Sequence, residues 1–129
     1  MKLVIVEDSA AVRLQLRKLL AVVPGLDIVG EATSEAGAIE TIQRLCPDAV
    51  LLDLRLAPGS GLNVLRALQP TAVRCRTIVL SNETDPRYKA MCLELGAEAF
   101  FDKSLETKAA LAHLAGWSQA FAAGSGDAG

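Results

Sequence analysis

The sequence contains few cysteines, and their spacing is not that of a disulfide framework or a metal site. Its 129 residues include only Cys46, Cys75 and Cys92, which are far apart and form no C-x-x-C motif. An odd number of scattered cysteines argues against a disulfide framework and against a zinc site. We therefore interpret the three thiols as small hydrophobic side chains.

Long hydrophobic runs and an excess of positive charge are also missing. No apolar run approaches the roughly 18 residues that a membrane span requires. The apolar run after Lys2 is too short for a signal-peptide core, because Glu7 and Asp8 end it. A net charge of −2 provides no basic field for nucleic acid. These absences predict a cytoplasmic protein with no membrane insertion and no direct nucleic-acid partner.

What the chain does contain is a regular alternation of short apolar runs and helical patterns. Short β-branched runs are typical of buried strands, and apolar residues spaced three or four apart are typical of helices. The predicted strands are Lys2–Val6, Asp27–Thr33, Asp48–Asp53, Thr77–Ser81 and Glu98–Phe101. The predicted helices are Ser9–Val23, Ser34–Leu45, Leu62–Leu68, Pro86–Leu95 and Leu105–Phe121. Ser34 and Asp85 are predicted helix caps, and Pro70 is predicted to end the third helix.

Five consecutive strand–helix units predict one doubly wound α/β domain of the flavodoxin-like type. We expect a five-stranded parallel sheet in the order 2-1-3-4-5, with helices on both faces. The domain would occupy residues 1–122, and the small, polar residues 123–129 would form a flexible tail.

Polar residues follow the ends of four predicted strands. Glu7 and Asp8 follow the first strand, Asp53 ends the third, Ser81 ends the fourth, and Lys103 follows the fifth. Sites in such sheets lie beyond the carboxyl ends of the strands, so these side chains should share one crevice. Three carboxylates in one crevice favour a hard divalent cation, Mg²⁺ or Mn²⁺. A metal, a lysine, a hydroxyl and an accessible aspartate are what phosphoryl transfer requires.

Each of these residues alone has an ordinary structural interpretation. An aspartate at a strand end commonly forms a turn, and Glu7–Asp8 could cap the first helix. Ser81 could be a turn residue and Lys103 a solvated surface residue. Only their combination, in chain order at the correct strands, points to a reactive site.

The motifs "VIVEDS", "PDAVLLDLRL", "SGL", "TIVLSN" and "GAEAFFDKS" resemble those of two-component response-regulator receiver domains. The resemblance covers about Lys2 to Phe121 and is of the stand-alone, chemotaxis-receiver kind. It implies that Asp53 is the phosphoacceptor. It also implies that Mg²⁺ is ligated directly by Asp8, Asp53 and the backbone carbonyl of Arg55, and through water by Glu7.

The resemblance implies roles for the remaining site residues as well. Ser81 would bind a phosphoryl oxygen and move on activation, Lys103 would pair with the phosphoryl group, and Phe100 would be the aromatic switch. Arg55 and Glu83 would tune the lifetime of the phosphoryl group, and we expect them to form an ion pair across the crevice mouth.

Two positions depart from the family pattern. Ser104 stands where the family commonly has a proline after the lysine, usually with a cis bond, so the Lys103–Ser104 bond could be cis or trans. The proline after the phosphoacceptor is one position late, at Pro58, although Gly61 falls where expected. The loop around Asp53 could therefore be reshaped.

The resemblance also implies partners. A histidine kinase or a histidine phosphotransfer protein would donate the phosphoryl group, with the first helix as a docking surface. A downstream protein target would contact the face of the fourth helix, fifth strand and fifth helix. That face lacks an arginine in the fifth helix, so we expect a monomer or a weak dimer. The chain would be a switch that catalyses its own phosphorylation and dephosphorylation rather than a conventional enzyme.

Other functions remain open at this point. A degenerate receiver could bind partners without phosphorylation. A flavodoxin-like cofactor binder would need glycines and hydroxyls after the first strand, where "EDSAAV" is acidic. A metal-dependent phosphatase with an aspartyl intermediate would need a second acid shortly after Asp53, where Arg55 stands. The end of the chain carries no output-domain pattern, which fits either a stand-alone receiver or a piece of a longer protein.

Overall fold

The computed structural model describes residues 1–69, 75–83 and 85–127. Five parallel strands form one sheet in the order β2-β1-β3-β4-β5, as predicted. The strands are β1 (Lys2–Val6), β2 (Asp27–Ala32), β3 (Ala49–Leu52), β4 (Arg76–Ser81) and β5 (Ala99–Asp102). The helices are α1 (Ala10–Leu20), α2 (Glu35–Leu45), α3 (Gly61–Leu68), α4 (Pro86–Glu94) and α5 (Thr107–Asp127).

Short polar side chains begin four of the helices. The hydroxyls of Ser9, Ser34 and Ser60 accept hydrogen bonds from amides in the first turns of α1, α2 and α3, and the carboxylate of Asp85 does so for α4. These bonds satisfy amides that have no partner within the helix. The predicted caps Ser34 and Asp85 are confirmed. Ser9 caps α1, so the carboxylates of Glu7 and Asp8 are not used as caps.

The strands carry a buried layer on each face of the sheet. Val4, Val50 and Val79 belong to a core cluster with residues of α2, α3 and α4. Their neighbours along the strands belong to a second cluster with residues of α1 and α5. Successive side chains of a strand point to opposite faces, which explains why the buried parts of these strands are almost continuously apolar. The three central strands are therefore fixed rigidly beneath the polar groups that follow them.

Several predicted boundaries are wrong. α1 ends at Leu20 rather than Val23, because the next residues form a turn in which the Val23 amide donates to the Leu20 carbonyl. α5 begins at Thr107, after a turn in which the Glu106 amide donates to the carbonyl of Asp102. It continues past Phe121 to Asp127, through alanines that favour helix. The predicted stop at Pro70 lies outside the described residues.

None of the helices in the described part of the chain combines the length and apolar character needed to cross a membrane.

Candidate active site

The ends of neighbouring strands bring the predicted site residues together. The Asp53 amide donates to the carbonyl of Val6 at 3.0 Å, which extends the β1–β3 pairing by one residue beyond β3. At the other side, the Lys103 amide donates to the carbonyl of Ser81 at 3.0 Å. These backbone bonds fix where the side chains of Asp53 and Lys103 leave the sheet.

Lys103 makes hydrogen-bonded ion pairs with two buried acids. Its Nζ lies 2.7 Å from Asp53 Oδ2 and 2.5 Å from Glu7 Oε1. The lysine side chain is 17% exposed, and those of Asp53 and Glu7 are 7% and 3% exposed. The predicted contact of Lys103 with the crevice is therefore present, and one cation faces two carboxylates.

The two buried acids differ in their proton affinity. Burial raises the pKa of Glu7 to about 7, with the neighbouring Asp53 adding to the increase and Lys103 opposing it. Burial also raises the pKa of Asp53, but hydrogen bonding with Glu7 and Lys103 outweighs it, so the pKa lies below its usual value. Burial likewise lowers the pKa of Lys103, but its bonds to the two acids raise it above the ordinary value. At neutral pH, Asp53 is ionised and Glu7 is the group that takes up a proton.

The acidic residues present oxygen atoms suited to a divalent cation. One oxygen from each of Glu7, Asp8 and Asp53 lies within 4.8 Å of the others. Glu7 Oε2 is buried and has no hydrogen-bond partner among the described residues, whereas Asp8 is exposed. A buried carboxylate oxygen without a partner is costly unless something binds it. Hard oxygen donors open to solvent on one side fit Mg²⁺ or Mn²⁺.

The loop after β3, residues 53–60, folds closely over the Asp53 carboxylate. Within this β3–α3 loop, the Arg55 amide donates to Asp53 Oδ1 at 3.2 Å. The Gly61 amide donates to the carbonyl of Leu54 at 2.9 Å. A Cβ atom on Gly61 would lie 2.3 Å from the backbone oxygen of Asp53, so only glycine fits there. The late proline is accommodated with a cis Ala57–Pro58 bond, and Gly61 keeps its expected place.

Ser81 and Phe100 lie where the sequence analysis expected them. Ser81 is fully buried at the end of β4, and its hydroxyl accepts a hydrogen bond from the Glu83 amide at 3.3 Å. Phe100 is half-buried on β5 and packs against the cluster that also contacts Tyr88 and Met91 of α4. Their movement on activation stays a prediction, as does the backbone carbonyl of Arg55 as a metal ligand.

The expected ion pair at the crevice mouth is present. Arg55 Nη2 lies 3.6 Å from Glu83 Oε2, and the two side chains are 69% and 23% exposed. The pair connects the β3–α3 loop to the residues that follow β4.

Ser104 makes contacts that a proline could not make. The Lys103–Ser104 bond is trans, and the Ser104 amide donates to Asp102 Oδ1 at 2.7 Å. The Ser104 hydroxyl donates to Asn82 Oδ1 at 2.9 Å, joining the segments after β4 and β5. Thr107 further donates to the Lys103 carbonyl at 2.6 Å. Sequence reasoning missed these contacts, because the partner of Ser104 lies 22 residues away and no local pattern identifies it.

Comparison with known proteins agrees with this geometry. The family model for the response regulator receiver domain matches residues 3–115. The chain belongs to the response regulator receiver family.

Among curated proteins, this receiver chain is similar to longer response regulators. It is 34% identical over 108 residues to a protein-glutamate methylesterase/protein-glutamine glutaminase of Treponema pallidum, a match covering 82% of this chain and 27% of the relative. It is 32% identical over 110 residues to the nitrate/nitrite response regulator protein NarP of Escherichia coli, covering 85% and 51%. The chain therefore spans about a quarter to a half of these relatives' length.

Solved receiver structures have the same fold. The signal receiver domain of the response regulator NarL from Mycobacterium tuberculosis superposes with a TM-score of 0.83 at 24% identity, covering 92% of this chain and 95% of that one. The response regulator domain of Thermotoga maritima CheB gives a TM-score of 0.79 at 25% identity, covering 92% and 93%. The predicted family and the predicted fold are both confirmed.

Proposed function

We propose that this receiver accepts a phosphoryl group on Asp53, and that the phosphorylated chain signals to a protein partner. The observation that supports this most strongly is the position of Lys103 Nζ, 2.7 Å from Asp53 Oδ2 and also paired with Glu7. A fixed cation beside an ionised, hydrogen-bonded carboxylate is suited to accepting a phosphoryl group.

The transfer uses the existing charge of Asp53. Because the pKa of Asp53 is low despite burial, through its bonds to Glu7 and Lys103, its carboxylate is ionised and needs no general base. A carboxylate oxygen forms a bond to phosphorus as the phosphorus–nitrogen bond of a phosphohistidine breaks. The electron pair of that bond returns to the imidazole nitrogen. Lys103 then pairs with an oxygen of the transferred group, and the buried hydroxyl of Ser81 binds another.

The acidic residues would hold the divalent cation of this reaction. Asp8, Asp53 and the backbone carbonyl of Arg55 would bind Mg²⁺ or Mn²⁺ directly, and Glu7 would bind it through water. The cation supplies neutralisation of the negative charge that accumulates on the transferred phosphoryl group. Oxygens of the three acids that lie within 4.8 Å of one another, one of them unpartnered, support this assignment.

The donor would be a histidine kinase or a histidine phosphotransfer protein that docks beside α1. A groove of about 380 Å³ runs from Lys103 between α1 and the start of α5, with Val12 and Gln15 on one side and Leu105 on the other. Leu105 is 85% exposed at the rim. An exposed leucine beside the reactive lysine suits a partner that must reach Asp53.

The output surface would be the α4–β5–α5 face. Phosphorylation adds roughly two negative charges to the crevice, which would draw Ser81 toward the phosphoryl group and change the packing of Phe100. The residues proposed to meet the downstream protein are the exposed Arg87 and Lys108 and the half-buried Tyr88 and Met91. We propose that the chain acts there as a monomer or weak dimer.

We also propose that Arg55 and Glu83, whose side chains form an ion pair, set the lifetime of the phosphoryl group.

The test is the mass of the intact protein after incubation with Mg²⁺ and acetyl phosphate. We expect the addition of one phosphoryl group, absent from Asp53→Asn and absent in the presence of a chelator. If no donor adds a phosphoryl group, and the beryllofluoride mimic also fails to bind, the proposal is contradicted. The chain would then be a phosphorylation-independent binding module. Binding of beryllofluoride alone would instead indicate a phosphoryl group lost faster than it can be weighed.

A further inference from the structure

The first residue of α2, Glu35, makes two hydrogen bonds to the β3–α3 loop and a third to the start of α3. The Glu35 amide donates to the carbonyl of Pro58 at 3.1 Å. Glu35 Oε1 accepts from the Ser60 amide at 3.0 Å and from Asn63 Nδ2 at 2.9 Å. One carboxylate oxygen thus joins α2 to both the loop and the start of α3, 25 and 28 residues away.

The loop also packs directly on this side chain. A Cβ atom on Gly59 would lie 2.3 Å from Glu35 Cβ and 2.9 Å from Oε1. Gly59 has a φ of +109°, a conformation that other residues rarely adopt. The loop therefore follows the surface of Glu35, with no space between them.

The backbone connects this contact to the reactive aspartate. Ser60 pairs with Arg55 in an isolated antiparallel bridge across the β3–α3 loop. The Arg55 amide in turn donates to Asp53 Oδ1 at 3.2 Å, and the Arg55 carbonyl is the proposed metal ligand. Displacement of Ser60 would therefore displace both backbone groups of Arg55.

We propose that Glu35 is a positioning residue for the phosphoacceptor site: it holds the β3–α3 loop in the conformation that directs the Arg55 backbone toward Asp53 and the metal. This inference rests on the proposed function, since it assigns the loop's conformation to that site. It gives α2, a helix with no side chain in the crevice, a direct part in the geometry of the reaction.

Three variants separate the reach of this side chain from its charge. Glu35→Ala removes the acceptor, Glu35→Asp keeps the charge but withdraws the oxygen, and Glu35→Gln keeps an oxygen acceptor at the same reach. Glu40→Ala is the matched control, because Glu40 is an exposed glutamate of the same helix. Three quantities are measured in the whole chain: amide hydrogen exchange at Arg55 and Ser60 without metal, the Kd for Mg²⁺ by calorimetry, and the unfolding midpoint in urea.

We expect Glu35→Ala and Glu35→Asp to speed exchange at these amides and to weaken Mg²⁺ binding, each by about threefold to tenfold. Glu35→Gln and Glu40→Ala should stay within about twofold of the wild type. If Glu35→Asp and Glu35→Ala keep the wild-type Mg²⁺ affinity and exchange rates, the proposal is overturned. The same holds if they lower only the unfolding midpoint, since that is the result of a merely structural contact.

Wild-type phosphorylation by acetyl phosphate is measured in parallel. A wild type that takes up no phosphoryl group and binds no beryllofluoride contradicts the proposed function. The exchange rates and Mg²⁺ affinities of the Glu35 variants decide the positioning role independently of that result.

Discussion

Among the residues of the crevice, Glu7 is the acid whose ionised form is most disfavoured. It is buried beside Asp53, and Lys103 cannot neutralise both carboxylates. Burial therefore raises the pKa of Glu7 to about 7, whereas Asp53 stays ionised. Without metal, protonation of Glu7 neutralises part of the negative charge that a bound divalent cation would otherwise neutralise.

The raised pKa of Glu7 predicts that the free energy of unfolding depends on pH when no metal is bound. The folded pKa of Glu7 lies above its ordinary value of 4.5, so the folded state binds more protons than the unfolded state between these values. The stabilisation from this shift should be fully present below pH 4.5 and fall as pH rises through about 7, by about 3 kcal/mol in total. The pKa of Asp53 is lowered and that of Lys103 is raised, so both groups affect stability outside this pH range. Urea unfolding with a chelator at pH 5, 6, 7 and 8 measures the fall.

The variant Glu7→Gln cannot ionise and should lose this pH dependence. At pH 8 it should be more stable than the metal-free wild type, whereas Glu40→Gln, at an exposed position, should follow the wild-type curve. If the stability of Glu7→Gln falls with pH in parallel with the wild type, Glu7 is not the group responsible for the pH dependence.

Gly61 makes the closest backbone approach in the site. A methyl group there would meet the backbone of Asp53 and Leu54, whereas one on Gly116 in α5 would meet nothing within 4 Å. Gly61→Ala should lower the free energy of unfolding by about 2–4 kcal/mol, because the backbone must shift. Gly116→Ala should raise it by about 0.5–1 kcal/mol, because alanine favours helix. Urea unfolding of both variants checks this, and equal stabilities would show that the loop yields easily.

At the level of elements, the segments after β3, β4 and β5 contact one another through side chains at the surface of the protein. Arg55 and Glu83 join the first two, and Ser104 and Asn82 join the last two. Exposed pairs of this kind contribute little to stability, typically below 1 kcal/mol. If they shield the crevice from water, as proposed for Arg55 and Glu83, their consequence should appear in the kinetics of the site.

The ion pair gives a specific kinetic prediction. Replacing both Arg55 and Glu83 with alanine should speed hydrolysis of the phosphoryl group by about twofold to fivefold, because the pair no longer shields it. The unfolding free energy should change by less than about 1 kcal/mol. Loss of the phosphoryl mass over time, after removal of the donor, measures the rate. An unchanged rate would show that the pair does not shield the site.

At the scale of the whole molecule, the sheet and most of the site could be predicted because their signals are local. Strands such as Lys2–Val6 are continuous apolar runs, and each is followed by polar residues. The doubly wound topology then fixes which strand ends are neighbours, so Glu7, Asp53 and Lys103 could be placed together from chain order alone.

Other features could not be predicted, because they depend on contacts between distant segments. Glu35 begins a helix and meets Ser60, and nothing near either residue identifies the other. Ser104 stands where the family commonly has a proline, and its hydrogen bond to Asn82 could not be read from any local sequence pattern. The end of α5 was misplaced for a different reason, since its glycines and alanines give opposing helix preferences.

Asp53 is proposed to accept the phosphoryl group, and this can be tested by locating that group in the chain. The protein is phosphorylated with acetyl phosphate and Mg²⁺ and reduced with borohydride, which converts an aspartyl phosphate to homoserine. Peptide mass spectrometry then identifies the converted position. We predict homoserine at position 53 and at no other aspartate. Homoserine at another aspartate such as Asp8, a phosphoryl group on His113, or no modification together with no beryllofluoride binding would show that Asp53 is not the phosphoacceptor.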